Sequence, residues 1–151
     1  MTAVRSLIVA ARSRRAVARP IAVAVAVLAR DREAFLVRRV RGRPLAGQWE
    51  FPGGKVEFGE HPLEALRREL REELDFRLGT ATLFGVYSHV YTIRAVRVHY
   101  VLLVYRGRVG PRALPEDSGS RWFGPGVLRE LPVVAGSRPI VADLVRSWRV
   151  T

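Results

Sequence analysis

Residues Gly53–Phe76 read GGKVEFGEHPLEALRRELREELDF and set Glu57, Glu60, Glu69, Glu72 and Glu73 behind a double glycine. Leu63, Leu66, Leu70 and Leu74 recur at helical spacing, and Pro62 suits a first helical position, where its missing N–H costs nothing. A helix is therefore predicted over His61–Leu74. At about 100° per residue, Glu69, Glu72 and Glu73 share an arc of about 100° beside the leucine stripe. Like charges at i,i+3 and i,i+4 repel each other on a helix. A cation held among the carboxylates would reverse that penalty. The leucines are expected on a sheet and the glutamates at the edge of a cleft. Carboxylate oxygens suit Mg²⁺ or Mn²⁺, with waters and substrate phosphates completing the shell. Gly53 and Gly54 let backbone approach a metal or phosphate closely. Taken alone, the glutamates also fit a solvated helix, with Glu64–Arg68 and Arg68–Glu72 as favourable i,i+4 pairs.

Working outward, Ile21–Leu28 (IAVAVAVL) reads as a strand buried on both faces. Ala34–Arg38 is its hairpin partner across residues 30–33. Arg41–Gly47 is a loop by composition, and Trp49–Phe51 is a short extended piece stopped by Pro52-Gly53-Gly54. Beyond the helix, Thr82–Thr92 and Arg97–Tyr105 read as strands, Gly107–Gly119 as a loop, Arg121–Phe123 as a last short strand and Pro139–Trp148 as a closing helix. This order predicts an α/β fold with a mixed sheet and a helix on each side.

The chain of 151 residues suffices for one domain, and 48% of it is hydrophobic. It has no cysteine, which excludes disulfides, thiolate catalysis and Cys-ligated zinc. The longest apolar run, Ile21–Ala29, is too short to span a bilayer, so no membrane association and a cytoplasmic location are expected. Residues 1–19 hold five Arg and no acid, and are expected to form a basic extension ahead of a single domain over residues 20–151. The net charge of +12 invites a nucleic-acid partner. Yet 25 of the 26 basic residues are Arg, the mark of a compositional bias, and eight of the 14 acids fall within residues 50–75. An acidic pocket on a basic body favours a metal-bound polyanion instead.

Gly54, Glu60, Arg68-Glu69-Leu70 and Glu72-Glu73 match the Nudix box, G-x5-E-x7-R-E-U-x-E-E-x-G-U, with U a bulky aliphatic residue. Phe76 takes the last U position. Trp49-Glu50-Phe51-Pro52-Gly53-Gly54-Lys55 resembles the approach to that box in MutT-like members. The resemblance covers residues 20–148. Asp75 stands where the family has glycine; since Asp tolerates a left-handed backbone, a local adjustment is expected there. His61 stands where Ser or Thr is usual, so the N-cap hydrogen bond is expected to be missing.

The resemblance implies a Nudix-type α/β/α sandwich with a catalytic helix after a Gly-rich loop. It implies hydrolysis of a nucleoside diphosphate linked to another group, with Mg²⁺ (or Mn²⁺) as cofactor and a nucleotide as partner. Glu69, Glu72 and Glu73 would hold the metal with the Gly53 carbonyl, and Glu69 would activate the water. Arg68 would orient the glutamates, while Glu57 and Glu60 would support the loop or the outer metal shell. Glu116, six residues before Trp122, is a candidate extra ligand and equally a turn residue. Arg38, Gly54 and Lys55 are candidate phosphate contacts. Ser137 occupies the position at which MutT-like enzymes read oxidised guanine with Asn. Phe35, Tyr87, His89 and Tyr91 are candidates for a base pocket or for core. A (d)NTP pyrophosphohydrolase is expected; ADP-ribose, a dinucleoside polyphosphate, a capped RNA end and a non-catalytic nucleotide or RNA module stay open.

Overall fold

Strand β1 (Ile21–Arg30) is the axis of the molecule in a computed structural model that describes residues 18–150. Around it lie β2 (Glu33–Arg38), β3 (Trp49–Glu50), β4 (Gly53–Lys55), helix α1 (Pro62–Leu74), β5 (Ala81–Ile93), β6 (Val96–Arg108), β7 (Ser120–Phe123), α2 (Pro125–Glu130) and α3 (Arg138–Ser147). The expected basic extension lies outside the described residues except for its last two.

The seven strands form one mixed sheet in the order β3-β2-β1-β6-β5, with β4 on β1 and β7 on β2. Only β1 and β6 run parallel, in register from Ile21↔Tyr100 to Ala29↔Arg108. On its other edge β1 is shared. Its first half pairs β4 (Val23↔Lys55, Ala24↔Gly54, Val25↔Gly53) and its last residues pair β2. The double glycine ahead of α1, expected as a stop, is thus a strand laid on the central strand.

Alternation along β1 sorts two cores. Ala24, Ala26 and Leu28 pack with Ala65, Leu66 and Leu70 of α1 and with Phe35 and Trp122. Val25 and Val27 pack on the opposite face with Ile140, Val141 and Leu144 of α3 and Leu128 of α2. The result is the expected α/β/α sandwich. The small alanines on the α1 face bring that helix close to the sheet.

The structure departs from the expectation in three places. Helix α2 falls where Gly124-Pro125-Gly126 reads as a breaker; Gly124 is its N-cap and Pro125 opens its first turn. Strands β5 and β6 run longer, joined by a tight turn in which Arg94 (φ 49°) and Ala95 (φ 65°) are both left-handed without Gly or Asn. The expected missing cap on α1 is present: His61 Nδ1 accepts the Leu63 N–H at 3.1 Å, doing the work of a Ser or Thr hydroxyl. At the other end, Asp75 is left-handed (φ 48°), and the Asp75 and Phe76 amides close on Arg71 and Leu70 carbonyls at 3.1 Å. No helix among the described residues is long and apolar enough to cross a membrane.

Candidate active site

The site grows from the contact between β4 and α1. Gly53 lies so close to β1 that a Cβ there would collide with the Ala24 carbonyl oxygen. At Gly54 a Cβ would collide with the carboxyl of Glu69. The two glycines therefore let the strand sit flush on β1 and let a helix carboxylate settle on the strand's backbone. Pro52 and Val56 bracket the pair, the Pro52 carbonyl accepting from Ala26 N–H and Val56 N–H donating to Ala22, at 2.8 and 2.9 Å.

Arg68 is the hub of the acidic group. It grips Glu60 with two hydrogen bonds (Nε at 2.9 Å, a terminal nitrogen at 3.0 Å). It also donates to Glu69 Oε1 (2.9 Å), Glu72 Oε2 (3.5 Å) and the Lys55 carbonyl (3.2 Å). Glu57 Oε1 stands 3.9 Å away. These carboxylates raise the guanidinium pKa, hydrogen bonding to Glu60 first, and Arg68 in turn lowers that of Glu60. Glu60 Oε1 also accepts the Glu57 N–H at 3.1 Å. Glu60 and Glu57 are thus joined to Arg68 and the turn ahead of α1.

Of the box glutamates on α1, Glu73 is the one that Arg68 does not reach; Glu64, expected to pair with Arg68, pairs with Arg67 instead at 2.6 Å. Its carboxyl is partly enclosed although the residue is exposed overall. This burial, then the facing charge and hydrogen bond of Glu69, then Glu50, push its pKa up to about 7; the charge of Arg43 opposes them. Two neighbouring carboxylates whose charges oppose each other suit a divalent ion. The donor set is all oxygen, as Mg²⁺ prefers. As they stand, no three His, Asp or Glu side chains among the described residues converge on one metal position. The residues fit a metal in chemistry; Glu72 is exposed and paired with Arg68 at 3.5 Å.

Glu50, Arg39 and Arg43 were not foreseen. Arg39 clamps both oxygens of Glu50 (2.9 and 3.1 Å), and Glu50 acts on both Glu73 and Tyr91. An acid in the otherwise apolar Trp49-Glu50-Phe51 was the available signal. In a chain with 25 Arg, nothing marks out Arg39 or Arg43.

The other expected residues are scattered. Lys55 is exposed on β4. Arg38 is exposed, donates to the Gly47 carbonyl (3.3 Å) and lies 5.9 Å over the Trp49 ring. Glu116 Oε1 accepts the Trp122 amide at 2.8 Å, beside a shallow cavity lined also by Asp117, Arg121 and Phe123. Ser137 is buried at the start of α3. Next to it, the Gly136 N–H donates to the Tyr91 hydroxyl at 2.7 Å, and Tyr91 meets His89 edge to face at 4.4 Å. Burial raises the Tyr91 pKa. Tyr87 donates to Asp143 (2.7 Å), joining β5 to α3. Phe35 is excluded from any base pocket: it is 1% exposed, packed on Trp122 in the core beneath α1.

The comparisons with known proteins agree with this geometry. Residues 18–144 match the NUDIX domain model. The chain is 30% identical over 125 residues to the 8-oxo-dGTP diphosphatase of Escherichia coli K12, covering 82% of this chain and 95% of that protein. It is 37% identical over 79 residues to the CTP pyrophosphohydrolase of the same organism, covering 52% and 58%. Among solved structures, a MutT NUDIX hydrolase from Burkholderia pseudomallei superposes with a TM-score of 0.68 at 30% identity, covering 83% of this chain and 98% of that one. A domain match over most of the chain, joined to a box that departs only at Asp75 and folds as β4 and α1, shows that this chain belongs to the Nudix family as a MutT-like hydrolase.

Proposed function

We propose that this protein is a Mg²⁺-dependent nucleoside triphosphate pyrophosphohydrolase that releases a nucleoside monophosphate and pyrophosphate. The observation that carries it is the Glu69 carboxyl, lodged on the Gly54 backbone, tied to Arg68 and facing Glu73. Glu69, Glu72, Glu73 and the Gly53 carbonyl would hold the cation, which when bound neutralises phosphate charge and orients water. Glu69 is the base. It takes a proton from the water whose oxygen bonds to phosphorus as the anhydride P–O bond breaks and pyrophosphate leaves. Glu116 keeps one carboxylate oxygen available for a further cation while the other holds Trp122. A catalytic base contributes about 10²–10⁴-fold.

The nucleobase would rest near Tyr91, His89 and Ser137. The named activities of the two Escherichia coli relatives, on 8-oxo-dGTP and on CTP, set the substrates to compare first. The test is separation of the products formed with Mg²⁺ from 8-oxo-dGTP, dGTP, CTP, ADP-ribose and diadenosine polyphosphates, with pyrophosphate expected from the triphosphates alone. Turnover of a triphosphate, lost in Glu69→Gln, supports the reading. No turnover of any compound, or an unchanged rate in Glu69→Gln, sinks it.

A further inference from the structure

Strand β5 ends the sheet in an edge without the usual guards. It pairs only with β6, and among the described residues no other backbone hydrogen bond reaches it. Such edges are ordinarily blunted by charge, proline or short length. Ala81–Ile93 has 13 residues and no Asp, Glu, Lys, Arg or Pro. Its bulge at Leu83/Gly85 lies near one end and leaves Val86–Ile93 in unbroken register opposite Val96–Leu103. The two-residue loop Arg94-Ala95 makes Ile93 and Val96 a hydrogen-bonded pair, and such pairs alternate along an antiparallel ladder. The N–H and C=O groups of Val86, Ser88, Val90 and Thr92 therefore point outward, away from β6. Val86 stands beside Leu103 and, beyond it, Ala24, whose side chain meets α1. The helix stops short of β5 on this face and leaves Val86 and Val90 58% and 41% exposed. The aromatic residues of the strand take the other face, where Tyr87 donates to Asp143 and Tyr91 accepts from Gly136.

Charge decides what this edge suits. Residues 76–115 hold six Arg and no Asp or Glu. Arg94 and Arg97 lie at one end of the β5–β6 hairpin, Arg106 and Arg108 at the other. Next to Val90 a cavity of about 360 Å³ opens among Arg19, Pro20, Arg97 and His99. A second copy pairing β5 on β5 would set basic ends against each other in either direction. Residues 1–17 carry four Arg and no acid, so their charge matches no better. Nucleic acid would meet the charge, yet the rings on which bases stack are turned to the other face. An extended peptide with acidic side chains meets every feature. Its backbone completes the open ladder, its small side chains lie along Val86 and Val90, and its carboxylates face Arg97.

We propose that the outer edge of β5 is a docking strand for an extended acidic segment of a partner protein, which adds to the sheet as a further strand. Docking here is independent of hydrolysis at Glu69. The full chain would be titrated, reading anisotropy, with fluorescein-labelled, end-blocked peptides EVEVEVEV and KVKVKVKV and with oligothymidylate. EVEVEVEV should bind at least about tenfold tighter than KVKVKVKV, as for reversed charge at an interface, and tighter than oligothymidylate. It should slow hydrogen exchange at the Ser88 and Val90 amides, while the Tyr87 and His89 amides, already bonded to β6, stay unchanged. An edge tolerates proline where its N–H would face outward. Val90→Pro deletes such an N–H and should weaken EVEVEVEV at least about tenfold, as should the reversed charge of Arg97→Glu. If Val90→Pro fails to fold by circular dichroism, Arg97→Glu and the amide protection decide alone. No binding of EVEVEVEV, equal binding of KVKVKVKV, or binding kept in Arg97→Glu overturns the assignment. Tighter binding of oligothymidylate would make the face a nucleic-acid surface, and a dimer in sedimentation that Arg97→Glu alters would give the edge to a second copy. Either result also overturns it.

Discussion

The carboxyl of Glu69 occupies the space that a side chain at residue 54 would need. A helix residue and a strand residue fifteen positions apart in sequence thereby share one volume. The box glycine is required by the approach of a carboxylate, in a backbone that does not otherwise demand it.

Gly54→Ala should therefore fold and fail to catalyse. The added methyl must push the Glu69 carboxyl off its position, and a misplacement of about 1 Å can cost about 10²-fold. Steady-state kinetics beside a thermal melt check this. A kcat within about twofold of wild type would show that the close approach is incidental.

Glu73 makes metal-free stability depend on pH. Its pKa in the fold is about 7, against roughly 4.3 for an unfolded glutamate. Between these values the folded state holds more protons than the unfolded one, so stability falls as pH rises. The metal-free thermal midpoint should drop from pH 5 to pH 8, and Glu73→Gln should flatten that slope. Mg²⁺ competes with the Glu73 proton, so its affinity should rise over the same window. A midpoint that climbs steadily to pH 8 in the wild type alone would contradict this.

Arg68 holds Glu60 with two nitrogens while reaching Glu69 with another. Lysine is a single point charge and cannot keep that fork. Arg68→Lys should lower activity about 10–100-fold, as for other residues that orient metal ligands, with the larger part in Mg²⁺ dependence. Titrating activity against Mg²⁺ separates this from simple unfolding.

Asp75 closes α1 in a left-handed conformation that glycine adopts freely. Asp75→Gly should stabilise the protein by up to about 1 kcal/mol, raising the thermal midpoint by about 2–4 °C. Asp75→Val should do the reverse. Differential scanning calorimetry of the two variants decides it.

The acidic helix was legible because its chemistry and its geometry are local. Leucine spacing sets its buried face, and six box positions set its site. What stayed hidden is what neighbours in space decide. Gly53 and Gly54 read as a loop until β1 supplies a partner thirty residues away. Helix α2 is masked by Gly124-Pro125-Gly126, which tertiary packing of Leu128 overrides. Arg38 and Arg39 look alike in sequence, but Arg38, the last residue of β2, lies over Trp49 while Arg39, just past the strand, meets Glu50. The His61 cap was missed because an imidazole nitrogen can accept where a hydroxyl usually does.

The pairing of β4 with β1 also governs how this protein can breathe. The Ala26 amide bonds to Pro52 and the Val56 amide to Ala22, on either side of the glycines. These bonds belong to the central strand, where opening requires most of the sheet to come apart. In hydrogen exchange the Ala26 and Val56 amides should be among the slowest in the molecule, and heat should abolish activity at the temperature where the sheet melts. The catalytic floor has no unfolding event of its own: it survives as long as the fold does.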